Sequence, residues 1–185
     1  MTRDQYYELG RLGHFDGKRV ELIHGEVVEA GPISWPHSLC VSLVSDAFRL
    51  AFAGSFFVDI HQPFPVPRAA LASEPEPDVA VIPGEPRDYT DHPTVAALLV
   101  EVSDATLFYD TTTKAELYAT ANVPEYWVLD LEHRQLIVFR DPQPLPFPPD
   151  LAATAYRTRL TFLPTDRVSP LAAPNASILV NDLLP

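Results

Sequence analysis

Three charged residues stand where the hydrophobic pattern calls for apolar ones. Asp78 opens the short apolar run from Pro77 to Ile82, and Glu101 interrupts the otherwise apolar run from Ala96 to Val102. Lys114 emerges from a helical-wheel argument. In a helix begun at Asp110, Leu117, Tyr118 and Ala121 form the apolar stripe. Lys114 lies three, four and seven residues before them, on the buried side, while Glu116 points away. Lys114 is also the only Lys or Arg between Arg87 and Arg134. Two carboxylates from neighbouring strands can hold Mg²⁺ or Mn²⁺ and leave positions for water and a substrate oxygen. An amine beside them can position the attacking water and offset charge developing on a phosphate. Two plainer readings compete. One is a structural ion pair, although burying ions is costly even in pairs. The other is a lysine stem lying along apolar surface with its head in water.

Further candidates come from shorter patterns. Val20 to Ile23, His24-Gly25 and Glu26 to Val28 spell a two-residue β-hairpin. Its register pairs Ile23 with Glu26 and Glu21 with Val28. Glu21 and Glu26 then share one face, from which either could support a site, or simply face solvent. His37 extends the apolar stripe of its helix three residues before Cys40, which turns it inward, as a core histidine or a site base. Glu125 reads as a turn residue, and Tyr126 and Trp127 as sheet packing. No Gly-x-Ser-x-Gly supports a serine nucleophile, and no glycine-rich loop is present to cradle phosphate.

The elements that must carry these residues follow from periodicity. Residues 3–10 can form a short helix. Ser34-Trp35-Pro36 starts a longer one, with Cys40, Leu43, Val44, Ala47, Phe48 and Ala51 as its stripe and Gly54 as its stop. Strands are expected over Phe56–His61, Pro77–Ile82, Ala96–Val102, Glu125–Asp130, Gln135–Arg140 and Tyr156–Leu163. A helix capped by Asp110 runs to about Ala121, where Pro124 stops it. Near-continuous apolar runs imply strands covered on both faces. Residues 142–149 hold five prolines and read as a semi-rigid connector. Ile178 to Leu184 is apolar enough to dock on the body or on a partner. The class is therefore α/β or α+β, one central sheet flanked by helices.

Composition narrows the function. A hydrophobic share of 46% and a charged share of 21% exclude a disordered or fibrous chain, and 185 residues suit one domain. No apolar run is long enough for a membrane helix. The polar segment Met1–Tyr7 does not read as a signal peptide, so the expected compartment is the cytoplasm, with no membrane partner. Cys40 is the lone cysteine, which excludes an internal disulfide and a cysteine zinc cluster. The net charge of −12 opposes avid binding to nucleic acid through the general field. Contacts with DNA must be local, cation-mediated or supplied by a second chain. Arg157 and Arg159, on one face of a strand, are candidate phosphate contacts or a solvated face.

The order Pro77-Asp78, Glu101 and then a lysine is similar to the PD-(D/E)XK nuclease superfamily. There the lysine usually lies two residues after the glutamate, where Ser103 stands in this chain. A lysine moved to the following helix is a variant within that superfamily, and Lys114 is the matching position. More fully, the chain resembles the Uma-type endonucleases, a bacterial family catalogued as a domain of unknown function. The matching signals are Glu21-Leu22-Ile23-His24-Gly25-Glu26, His37 at a helix start, Pro77-Asp78-Val79, and Val100-Glu101-Val102-Ser103 with Thr106, Asp110 and Lys114. Glu116-Leu117-Tyr118, Val123 to Asp130, Ser169-Pro170-Leu171 and Asp182 to Pro185 continue them. Asp104 replaces a proline common in the pattern.

This resemblance implies a restriction-endonuclease-like domain over 1–185, a mixed central sheet flanked by helices. It implies a metal-dependent phosphodiester hydrolase, a DNA endonuclease, with Asp78 and Glu101 holding Mg²⁺ or Mn²⁺ and Lys114 orienting water. His37 and Glu21 are further site candidates. A homodimer framing a cleft between two sites is expected. Two alternatives stand beside it: a nuclease-fold scaffold or regulatory module that has lost catalysis, which the acidic surface favours, and a hydrolase of small phosphate esters.

Overall fold

Alternation along the strands divides their side chains between two cores. A computed structural model describes residues 1–67, 71–144 and 154–185. Helix α1 (Arg3–Arg11) precedes a hairpin of β1 (Val20–Ile23) and β2 (Glu26–Glu29), and α2 (Trp35–Ala51) follows. The main sheet takes β3 (Phe56–Ile60), β4 (Val79–Pro83), β5 (Leu98–Ser103), β6 (Glu125–Asp130), β7 (Gln135–Pro144) and β8 (Thr154–Phe162), in that spatial order. Every neighbouring pair is antiparallel except β5–β6, which is parallel. A parallel pair needs a crossover, and α3, residues 107–120, supplies it.

Val79, Val81, Leu98, Val100, Val102, Trp127, Leu129, Leu136 and Val138 pack with Cys40, Val41, Val44 and Phe48 of α2. The C-terminal segment closes that layer. Short strands β9 (Arg167–Val168) and β10 (Ile178–Leu179) pair, and a 3₁₀ turn (Val180–Leu183) buries Val180 and Leu183 in the same core. Of the two expected places for the tail, the body is the one it occupies. The alternate residues Ala80, Ile82, Leu99, Tyr126, Val128, Ile137 and Phe139 pack with Leu117 and Tyr118 of α3 and with Ile23 of the hairpin. Glu101 shares the phase of Leu99, so its carboxylate enters the α3 side.

The β1–β2 hairpin has the expected register, Ile23 with Glu26 and Glu21 with Val28. His24 and Gly25 take φ of 49° and 77°, as a two-residue turn of the primed type requires. The chain after β3 fastens this hairpin to the body through Glu74 N–H to Leu22 O at 2.6 Å. Buried Glu74 is gripped in turn by Arg3 Nε at 2.7 Å and Tyr7 Oη at 2.7 Å, which ties α1 to the same place.

Three readings are revised. Glu125 is a fully buried strand residue, not a turn residue. Its carboxylate accepts from Arg140, from Trp127 Nε1 at 2.9 Å and from Leu171 N–H at 2.7 Å. The third helix starts at Leu107, so Asp110 lies one turn inside it and is not its cap. Of the proline-rich connector, Pro142 and Pro144 belong to β7, and residues 145–149 lie outside the described residues.

Candidate active site

The site grows from strand register. Ile60 pairs with Val79, and Val79 with Val100. Continued by one residue, these pairings set His61, Asp78 and Glu101 side by side at one end of three adjacent strands. The His61 N–H still reaches the Asp78 carbonyl at 3.3 Å. His61 has φ of 51°, a left-handed conformation uncommon outside glycine, which turns the chain away at the end of β3.

The opposite wall is α3, whose register is locally loosened. Residues Leu107–Tyr109 begin it, Asp110–Lys114 form a π-turn, and Ala115–Thr120 continue as α-helix. The cause is legible in Thr111-Thr112-Thr113. β-Branched threonines are poor helix formers and bond back to carbonyls of the preceding turn. Thr111 Oγ1 donates to Leu107 O at 2.7 Å and Thr112 Oγ1 to Phe108 O at 2.5 Å. Asp110 and Lys114 both end up buried. Asp110 accepts from the hydroxyls of Ser103 and Thr106, the latter at 2.6 Å, locking the helix start to the end of β5.

Lys114 Nζ, 3% exposed as a residue, donates to Glu101 Oε1 at 3.0 Å and Glu21 Oε1 at 2.8 Å. Tyr118 Oη donates to the same Glu101 oxygen at 2.6 Å. Glu21 also accepts from Glu76 N–H at 2.9 Å, which holds the hairpin against the site. Asp78 Oδ2 accepts from the Val102 N–H at 2.7 Å, and Oδ1 accepts from His37 Nε2 at 3.0 Å and His61 Nε2 at 3.1 Å. His37 comes from the first turn of α2, on the other face of the sheet. Ser34 caps that helix and reaches Asp104 Oδ2 at 2.6 Å, joining it to the loop after β5.

Electrostatics follow from burial and crowding. Burial alone would raise the Asp78 pKa, yet the hydrogen bonds from His37 and His61 outweigh it and hold the carboxyl far below its usual range. Burial would lower His37, but Asp78 lifts its pKa above the ordinary value. Glu101 is driven well up by burial, an effect that Lys114 opposes and the charges of Asp78, Asp110 and Glu21 reinforce. Burial would depress Lys114, and the carboxylates of Glu101 and Glu21 raise it instead. Asp110 is raised by burial despite its two hydroxyl donors.

Two hydrogen-bonded groups therefore stand on adjacent strand ends, Glu101 with Lys114 and Glu21, and Asp78 with His37 and His61. Glu26 is exposed on the hairpin and takes no part. Arg157 and Arg159 lie on β8, three strand spacings from β5, or about 14 Å, and Arg159 instead stacks over Phe139 at 5.6 Å. Sequence reasoning missed His61. Its one signal is its place at the end of a strand antiparallel to the one Asp78 opens.

A six-stranded mixed sheet between helices, with a buried carboxylate–lysine cluster at the ends of its central strands, defines a mixed α+β protein. The chain belongs to the Uma2 family, described as "Putative restriction endonuclease", whose model matches residues 3–170. Its fold is similar to the crystal structure of "a putative nuclease belonging to DUF820" from Anabaena variabilis ATCC 29413. That likeness has a TM-score of 0.71 at 14% sequence identity and covers 99% of this chain and 97% of the other. No curated protein matches. Among the described residues, no helix is long and apolar enough to cross a membrane.

Proposed function

We propose that this chain is a DNA endonuclease acting with a divalent cation, Mg²⁺ or Mn²⁺, held by Asp78 and Glu101. The observation that carries this reading is a crowd of buried carboxyl groups around a single amine. Glu101 and Asp78 are each 5% exposed, and Asp110 is 4% exposed. Among the described residues, Lys114 is the one Lys or Arg side chain in direct contact with the cluster. Burial and mutual repulsion push Glu101 and Asp110 toward keeping their protons, and a dication is what would let such carboxyls ionise together, which a structural ion pair does not require. The donor set also suits a hard dication. Glu101 Oε2 has no hydrogen-bond donor among the described residues, and Asp78 remains ionised.

The chain's own groups account for the rest of the chemistry. Lys114 has three protons, and two are directed at Glu21 and Glu101. The third is available to the attacking water or to a phosphate oxygen, where it offsets developing charge. Tyr118 and Glu21 are positioning residues that fix Glu101 and Lys114. Asp110 holds α3 against the end of β5. A dication, when bound, polarises a phosphoryl oxygen and makes water a better nucleophile. The more open side of the site is that of His37 and His61, whose side chains are 14% and 31% exposed. That is the side a phosphate would approach.

Residues 1–185 would act as one nuclease domain in the cytoplasm, and a homodimer would frame the DNA between two sites. Sedimentation showing only monomer at micromolar concentration would remove the dimer. The test of the reaction is plasmid nicking with Mg²⁺ or Mn²⁺. Wild type should nick, and Lys114→Ala should be slower by about 10²–10³-fold, the usual loss for a transition-state charge donor. Equal rates would take Lys114 out of the mechanism. The net charge of −12 favours a second reading, a nuclease-fold module that binds partners without cutting. A wild-type protein that nicks no DNA and whose Mn²⁺ affinity is unchanged by Asp78→Asn would support it.

A further inference from the structure

The geometry points to a cation site with an imidazole arm: we propose that His37 and His61 join Asp78 as ligands and make the site prefer Mn²⁺ to Mg²⁺. This inference rests on the reading above, that the cluster holds a dication, and says which one and by which atoms.

One ring nitrogen each of His37 and His61 and a carboxylate oxygen of Asp78 all lie within 4.8 Å of one another. The two separations from Asp78 Oδ1 are 3.0 and 3.1 Å. Ligand bonds of about 2.1 Å at right angles place their ends about 3 Å apart. The hydrogen-bond separations seen here thus match such an edge, and a cation could replace the two shared protons without moving the side chains. Three elements supply the atoms: the first turn of α2, the residue after β3 and the residue before β4. The rings stand 6.4 Å apart between centroids and only 25° from parallel, with both Nε2 atoms turned to one oxygen.

A merely structural role needs less. The Asp78 carboxylate already has the Val102 N–H on Oδ2, and one imidazole would satisfy Oδ1. The second imidazole sits on left-handed backbone at His61, a conformation that costs free energy and concentrates at functional positions. With a cation present, each Nε2 would be the unprotonated nitrogen and the proton would reside on Nδ1.

Ligand chemistry then sets the preference. Mg²⁺ favours oxygen ligands in near-ideal octahedra. Imidazole binds first-row transition ions better than it binds Mg²⁺, and Mn²⁺ stands lowest in that series and closest to Mg²⁺ in its liking for oxygen. The two histidines therefore add affinity for Mn²⁺ that they do not add for Mg²⁺.

The test is calorimetry with MnCl₂ and MgCl₂ on wild type, His61→Gln and Asp78→Asn, joined by pulsed EPR of Mn²⁺ on the wild type. Wild type should bind Mn²⁺ at least about tenfold more tightly than Mg²⁺, with nitrogen modulation from directly bound imidazole. His61→Gln should lose about tenfold in Mn²⁺ affinity and change little for Mg²⁺, while Asp78→Asn should weaken both. Equal affinities, or bound Mn²⁺ without nitrogen modulation, would overturn the imidazole ligands and leave a carboxylate-held cation standing. Absence of any cation binding by wild type would overturn both readings together. Should His61→Gln not fold, the wild-type EPR spectrum decides alone.

Discussion

Replacing Lys114 by methionine keeps the length of the side chain and removes its charge from between Glu21 and Glu101. The wild-type amine makes two charge-assisted hydrogen bonds, 2.8 and 3.0 Å long, in a position 3% exposed. Removing one partner of a buried pair costs about 3–5 kcal/mol, because the other charge remains without compensation. Here the cost should fall near the lower end, about 3 kcal/mol, since Glu101 already tends to keep its proton. With a urea dependence of about 2 kcal/mol per molar, the unfolding midpoint should move down by about 1.5 M. Adding Glu101→Gln should recover at least half of the loss, because a neutral amide needs no counter-charge. The assay is equilibrium urea unfolding of wild type, both single variants and the double variant. A Lys114→Met protein within about 0.5 kcal/mol of wild type, as surface substitutions are, would refute the buried cluster.

Other consequences are independent of that one. Tyr118→Phe removes the hydroxyl on Glu101 without opening a cavity. It should cost about 1–2 kcal/mol in thermal unfolding and lower the nicking rate without abolishing it. Asp110→Ala strips the acceptor from Ser103 and Thr106 and should cost about 1–3 kcal/mol, with looser amide exchange over 107–114. Gly25→Ala places a methyl 3.0 Å from the Met1 nitrogen on backbone with φ of 77°. That should cost about 1–2 kcal/mol and show in the melting temperature. Asp130 offers a pH test away from the site. Burial would raise its pKa, but hydrogen bonds from Gln135 and His133 win and lower it. A lowered carboxyl stabilises the fold above its unfolded value of about 3.9. The stability difference between wild type and Asp130→Asn, about 1 kcal/mol near neutrality, should therefore shrink as pH falls below 4. A difference that grows in acid would reverse the assignment.

Much of the fold was legible because the strands are either strictly alternating or nearly all apolar. The hairpin at His24-Gly25 needs two residues with positive φ, and its register followed directly. Glu101 was visible as a charge in an apolar strand, and Lys114 as a charge on an apolar helical stripe. What a linear reading could not supply is contact between distant segments. His61 faces Asp78 only because β3 and β4 are antiparallel, across a proline-rich loop whose path periodicity does not encode. Glu21 could be placed on a hairpin face, but the docking of that hairpin depends on Glu74 and Glu76. Glu125, beside Pro124, looked like a turn residue because nothing local predicts that Arg140 and Leu171 come to meet it. Asp110 has the short polar side chain that suits a cap, yet it lies one turn inside its helix. The true helix start at Leu107 is set by Ser103 and Thr106 binding that same carboxylate.

The acidic chain and the proposed DNA substrate are reconciled only if charge is reversed locally. A dication among Asp78, Glu101 and the two histidines would do this at the place of reaction, while the distant field still opposes tight binding. Weak, strongly cation-dependent association with DNA is the expected behaviour, and filter binding with and without Mn²⁺ would measure it.

The most direct measurement is anomalous diffraction at the manganese edge from a crystal soaked in MnCl₂. A peak within about 2.0–2.3 Å of an oxygen from each of Asp78 and Glu101, with the Lys114 amine beside it, is the predicted result. Manganese bound only elsewhere on the molecule, with those two carboxylates unchanged, would contradict the account.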